Sequence, residues 1–165
     1  MSIDGTDFRI QEPAPFNRTW YSHKFRGPGF RYEVAISLDG NLVWWNGRWR
    51  CGSNPDLAIF RRSLRQSLLL DERVIADKGY RGEPRVWLPS EGSAVQIEAH
   101  RLIRARHESF NKRLKQWGCL KQVWRHELSD HHLVFNAVAL LTKLSIDSGE
   151  KLFHIDSNTL KVFHK

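Results

Sequence analysis

The sequence predicts a mixed α/β domain, and three observations carry that expectation. A β-rich alternating run over residues 30–38, the turn dipeptide Asp39-Gly40 and a second β-rich run over 41–45 make a hairpin. A short apolar run, Arg73-Val-Ile-Ala76, ends at Asp77 and reads as a buried strand. Two long stretches, residues 99–117 and 129–146, repeat apolar side chains at helical spacing. Strand, hairpin, helix, strand, helix in that order is the pattern of a sheet covered by helices.

The elements follow in chain order. The first ten residues alternate around Ile3, Phe8 and Ile10, which suits a short strand interrupted or ended near Asp4-Gly5. Residues 11–29 hold Pro13, Pro15, Gly27, Pro28 and Gly29 and read as a long loop carrying Arg18, Lys24 and Arg26. The hairpin comes next, and Asn46-Gly47 marks a bulge before Arg48. A helix is expected over residues 57–68, with Leu57, Phe60, Leu64 and Leu68 on one face and Asp56 as its cap. In the helix over 99–117, Ile103, Phe110, Leu114 and Trp117 share one face, and Arg101, Arg104, Glu108, Asn111 and Lys115 the other. The helix over 129–146 is more apolar, and its paired His131-His132 reads as solvated or capping. Residues 1–150 form the domain, and 151–165 are a weakly patterned tail.

At 165 residues the chain suits one domain with a real core. Hydrophobic residues are 41% and charged residues 27%, which excludes disordered, collagenous and disulfide-scaffold classes. No run approaches the ~18 to 20 apolar residues of a membrane span. The N-terminus lacks the basic and apolar regions of a secretory signal. Cys51 and Cys119 match no zinc spacing, and an intracellular compartment is expected. Lys plus Arg is 26 against 18 acids, a net charge of +8 that favours a polyanion, nucleic acid before membrane.

Against that basic background three acids stand out. Asp4 lies in the first strand, Asp77 just past a later strand, and Glu108 is the sole carboxylate between Arg101 and His126. The plain alternative for Glu108 is an ion pair with Arg104 or Lys112 one turn away. The functional alternative is a pair of divalent cations, which take oxygen ligands from separate elements and act on a phosphodiester from both sides. Clustered carboxylates without a cation repel and raise their own pKa values.

Four segments occur in order: Asp4-Gly-Thr, Cys51-Gly-Ser-Asn-Pro-Asp56, Ala76-Asp77-Lys-Gly-Tyr80 and Arg106-His-Glu108-Ser-Phe-Asn-Lys-Arg-Leu-Lys115. Each is weak alone. Together, over roughly residues 3–146, they resemble the DDE nuclease domain of Harbinger-type transposases and the related DDE superfamily endonucleases. The resemblance implies an RNase H-like fold, a mixed sheet with an early antiparallel hairpin flanked by helices. It implies Asp4, Asp77 and Glu108 as catalytic metal ligands for two Mg²⁺ or Mn²⁺ ions. It implies cleavage of duplex DNA, with transfer of a 3′-hydroxyl end as a later step, and a nuclear site of action. Asp56 sits where the family tends to have an Asp; helix capping or support behind the ligands is preferred for it over direct ligation. Arg104, Asn111 and Lys115 are candidate DNA or phosphate contacts, with a solvated helix face as the alternative for Asn111 and Lys115.

Two departures from the family pattern matter. The family often carries His three residues after its first Asp, where this chain has Asp7, which joins the site or faces solvent. The chain also begins just before Asp4, and the helix-turn-helix region of family transposases is missing. A truncated first strand with a loosely held Asp4 is therefore expected, together with reliance on a separate DNA-binding partner protein. The competing function is a catalytically inactive, transposase-derived module that binds DNA or protein. A generic RNA-binding domain is weaker, since it leaves the ordered acids unexplained.

Overall fold

The computed structural model describes residues 1–163. Its centre is a six-stranded mixed sheet. β1 (Ser2–Arg9) pairs antiparallel with β3 (Gly27–Ile36) along its whole length, from Ser2 opposite Ile36 to Arg9 opposite Gly29. β2 (Tyr21–Ser22) meets the start of β3, and β4 (Leu42–Arg50) completes the hairpin on it. On its other side β1 runs parallel to β5 (Val74–Ile75), which pairs with β6 (Val86–Trp87). Helices cover both faces, so the expected RNase H-like arrangement of mixed sheet, early hairpin and flanking helices holds.

The two faces of β1 and β3 follow from the period of two along a strand. Phe8, Tyr32, Val34 and Ile36 enter one core with Phe110 and Leu114 of α3 (Ala94–Leu114) and Phe135 and Val138 of α5 (His131–Asp147). Ile3 and Ala35 enter a second core with Phe60 of α1 (Asp56–Arg62), Leu64 of α2 (Leu64–Ser67) and Tyr80. His131 belongs to the first core. It is buried, its ring stacks on Tyr32 and its Nδ1 lies 2.8 Å from the Tyr32 hydroxyl, so it is neither solvated nor a cap. Burial pushes its pKa down to about 4.

Several expected boundaries move, each for a physical reason. β1 continues through Gly5 to Arg9 because β3 pairs with every residue of it, and the backbone ahead of Asp4 is tied as well: the Ile75 N–H donates to the Met1 carbonyl at 3.0 Å. The hairpin's bulge falls where expected: Tyr32 faces Gly47 while Arg31 faces Trp49, leaving Arg48 as the extra residue at φ +65°. The helix expected over 57–68 breaks into α1 and α2 at Ser63. There the hydroxyl donates back to the Ile59 carbonyl at 2.6 Å and also reaches Glu33 at 3.1 Å, competing with the helix's own ladder. α3 begins at Ala94, earlier than expected, because Ser93 and Gln96 form a reciprocal capping box. The region beyond residue 150 is not loose: Leu152, Ile155 and Leu160 are buried, the last on α6 (Ser157–Lys161). No helix among the described residues is long and apolar enough to cross a membrane.

Candidate active site

β1 and β5 touch only at Ser2 and Ile75, and the next bridge on that side of β1 is Ile10 with Trp124. Between these points β1 has no strand partner on that side among the described residues, and α3 reaches the crevice where the two parallel strands part, through Asn111. Such crevices at the carboxyl ends of strands are where α/β sheets hold ligands. Asp4 lies in the strand wall of this cleft. Asp77 follows the end of β5, where its Oδ1 accepts from the Gly79 N–H at 2.7 Å and caps a short 3₁₀ turn, Lys78–Tyr80.

Asp56 completes a cluster of aspartates, and not as a helix cap. The N-cap of α1 is Pro55, and no side-chain hydrogen bond caps the helix. Its carboxylate instead packs between two glycines. A Cβ on Gly5 would fall 2.2 Å from Asp56 Oδ1, and one on Gly79 would fall 3.5 Å from Oδ2. Gly5 adjoins Asp4 and its missing side chain is what lets Asp56 approach there, while at Gly79 Asp56 Oδ2 would be in ordinary contact with a side chain. Asp56 Oδ1 is buried 3.3 Å from Arg31 Nη1 but accepts no hydrogen bond. Burial pushes the Asp4 pKa up to about 6; Asp77 and Asp56 push the same way, against the positive charges of Lys24 and Arg104. Burial also raises Asp56, opposed first by Arg31 and Lys24.

Helix α3 forms the far wall. Arg104 Nη2 lies 3.7 Å from Asp77 Oδ2, and Asn111 Nδ2 donates to Asp4 Oδ2 at 3.0 Å. Glu108 is four residues after Arg104 and three before Asn111, which puts it on the same helix face between those two contacts. It is exposed and makes no hydrogen bond or ion pair among the described residues, so the alternative of an ion pair with Arg104 or Lys112 does not occur. Asn111 is buried and Lys115 half-buried, its Nζ 5.6 Å from the centre of the Phe8 ring; this part of α3 is not a solvated face. Burial and the nearby Lys24 lower the Lys115 pKa. Behind Glu108 a groove of ≈ 460 Å³ runs past Ala105, Arg104, Arg101 and Pro89.

Asp7 does not face solvent. Its Oδ1 accepts from Arg31 Nε at 2.7 Å, and its Oδ2 from Arg31 Nη2 at 3.0 Å and from the Ser22 hydroxyl at 2.6 Å. It is buried, which removes it from DNA contact, and it holds the arginine that reaches Asp56. Burial acts to raise its pKa, but the Arg31 hydrogen bonds, the charges of Lys24 and Arg31 and the Ser22 hydrogen bond together bring it below the usual value.

Two further residues escaped sequence reasoning. Lys24, read as one loop cation among several, donates to the Gly5 carbonyl at 2.6 Å and is the foremost positive charge on Asp4. Glu33 is buried, accepts from Tyr80 and Ser63 at 3.1 Å each, and has its pKa pushed by burial up to about 8. A carboxylate inside an alternating strand was the available signal, since the position opposite Gly5 faces α1.

The family model for DDE superfamily endonucleases matches residues 3–143. The chain belongs to the DDE superfamily endonuclease family. No curated protein and no solved structure matches it. Nucleases of this superfamily generally use divalent metal ions and act on DNA. The donor chemistry suits such ions. Three aspartates lie close together, two of them, Asp4 and Asp56, raised by acidic neighbours as well as by burial, and buried Asp56 Oδ1 and Asn111 Oδ1 lack hydrogen-bond donors. Hard cations take oxygen ligands of this kind. No group of three His, Cys, Asp or Glu side chains among the described residues stands in ligating geometry.

Proposed function

We propose that this domain is a divalent-metal-dependent endonuclease acting on duplex DNA in the nucleus, with Asp4, Asp77 and Glu108 as its catalytic metal ligands. The observation that carries the reading is a juxtaposition: Asp4 on β1 meets Asn111, Asp77 just past β5 meets Arg104, and Glu108 stands on the α3 face between those two contacts. Bound there, two Mg²⁺ or Mn²⁺ ions would activate water and stabilise the leaving oxygen of a phosphodiester. The chain's own groups do the rest. Asn111 orients the Asp4 carboxylate. Arg104 holds Asp77 and adds positive charge beside the incoming phosphate. Lys115 and Lys24 draw the backbone toward the cleft, as cations do for a polyanion. Asp56 supports Asp4 and Asp77 from beside Gly5, whose missing side chain makes room for it.

A second reading has its own observation. Lys24 donates to Gly5 and leads the positive charge on Asp4, so an ammonium already stands by the cluster. In that reading the domain is an inactive module that binds DNA or a protein, and Lys24 does the neutralising. Nicking of supercoiled plasmid in Mn²⁺ separates them. The nuclease reading expects cleavage by the wild type and a loss of at least 100-fold in Asp77→Asn and Glu108→Gln, which keep DNA binding. No cleavage by the wild type with binding intact would leave the inactive module.

A further inference from the structure

Away from the carboxylates, α1 and α2 carry a second arrangement built on one acid. Arg61 and Arg65 stand one turn apart, with side chains 48% and 45% exposed, over the Glu83 side chain, which is 2% exposed. Arg61 Nε donates to Glu83 Oε2 at 2.9 Å, and Arg65 Nε to Oε1 at 3.0 Å. Arg61 Nη2 also donates to the Gly82 carbonyl at 2.7 Å. Each oxygen of a single carboxylate thus fixes one guanidinium by its inner nitrogen. Arg61 Nη1 and both terminal nitrogens of Arg65 have no acceptor among the described residues. One carboxylate neutralises one of two arginines, and like charges a turn apart repel. A planar guanidinium with free terminal nitrogens matches phosphate oxygens bidentately.

The pair also lies on the segments that build the cleft. Arg61 is five residues after Asp56, about 8 Å along the helix. The turn that follows Asp77 packs on the same helix, Tyr80 against Phe60 with ring centres 5.9 Å apart, and Glu83 comes just after that turn. We propose that Arg61 and Arg65 form a fork for backbone phosphates of duplex DNA running out of the cleft, with Glu83 as the positioning residue that holds both. The fork rests on the nuclease reading for its substrate.

The test is fluorescence anisotropy of the full chain with a labelled duplex in EDTA, across a series of salt concentrations. Losing two phosphate contacts lowers the slope of log affinity against log salt by about 1.8. Arg61→Gln/Arg65→Gln should show that fall, and so should the triple variant with Glu83→Gln, which removes the buried carboxylate with its partners and so protects folding. Glu83→Gln alone keeps both arginine charges and should not show that fall. Lys143→Gln, at a half-buried lysine on α5 paired with Asp147, should change neither affinity nor slope. An unchanged slope in the double and triple variants overturns the fork, whatever the plasmid assay shows. A lowered slope in a protein that does not nick DNA keeps the fork and ends the nuclease reading.

Discussion

At the scale of single residues, the least expected is Glu33. A carboxyl buried between β3 and α1 holds its proton to about pH 8, while in an unfolded chain it would lose it near 4.5. Between those values the folded state binds more protons than the unfolded one, so stability falls as pH rises through the window. The slope is at most about 1.4 kcal/mol per pH unit for one proton. Glu33→Gln keeps the hydrogen-bonding shape and removes the proton. Denaturant unfolding at pH 5, 6.5 and 8 should show the wild type losing stability faster than the variant; parallel curves would mean that Glu33 is ionised in the folded protein. Asp7 and Arg31 show the opposite solution to burial, a bidentate pair that keeps its charge. Asp56, expected as a cap, shows how little a residue's place at a helix start says about its side chain when Gly5 opens a path elsewhere.

Among the elements, the hairpin of β3 and β4 is the most closely specified. Its bulge sets Gly47 against the Tyr32 ring, where a Cβ would fall 1.9 Å from the nearest ring carbon. The ring cannot retreat, because it stacks on Phe135 at 3.8 Å and bonds His131. Gly47→Ala should cost about 1 to 3 kcal/mol, the usual range for overpacking. At this size each kcal/mol lowers Tm by about 2 to 4 °C. Thermal unfolding by circular dichroism measures it, and an unchanged Tm would show that β4 can slide away from Tyr32. α3 is specified at its start by the capping box, yet its role comes from what three of its turns reach: Asp77, the cleft and Asp4.

For the whole molecule, the decisive feature is negative charge gathered in one cleft of a basic protein of net charge +8. Folding brings Asp4, Asp56 and Asp77 together against their mutual repulsion, and a cation that binds only the folded state offsets that cost. Mg²⁺ or Mn²⁺ should therefore raise Tm, with a stabilisation of about 2.7 kcal/mol at one hundred times Kd. EDTA should reverse the shift, and Asp77→Asn should abolish it. A Tm indifferent to both ions would remove the metal site while leaving the fold and family untouched.

Local chemistry sufficed for much of this. The Asp39-Gly40 turn between alternating runs determined the hairpin, the apolar run before Asp77 determined a strand end, and the four ordered segments pointed to the family that the chain belongs to. These features are legible because each depends on neighbours within a few residues. The cleft's inner wiring is not of that kind. Asn111 meets Asp4 across 107 residues, and Arg31 meets Asp7 across 24. Lys24 reaches Gly5 from a loop, and Asp56 slips between Gly5 and Gly79. Strand register, the parting of β1 from β5 and the docking of α3 set these contacts, and periodicity along one segment carries no record of which distant segment packs against it.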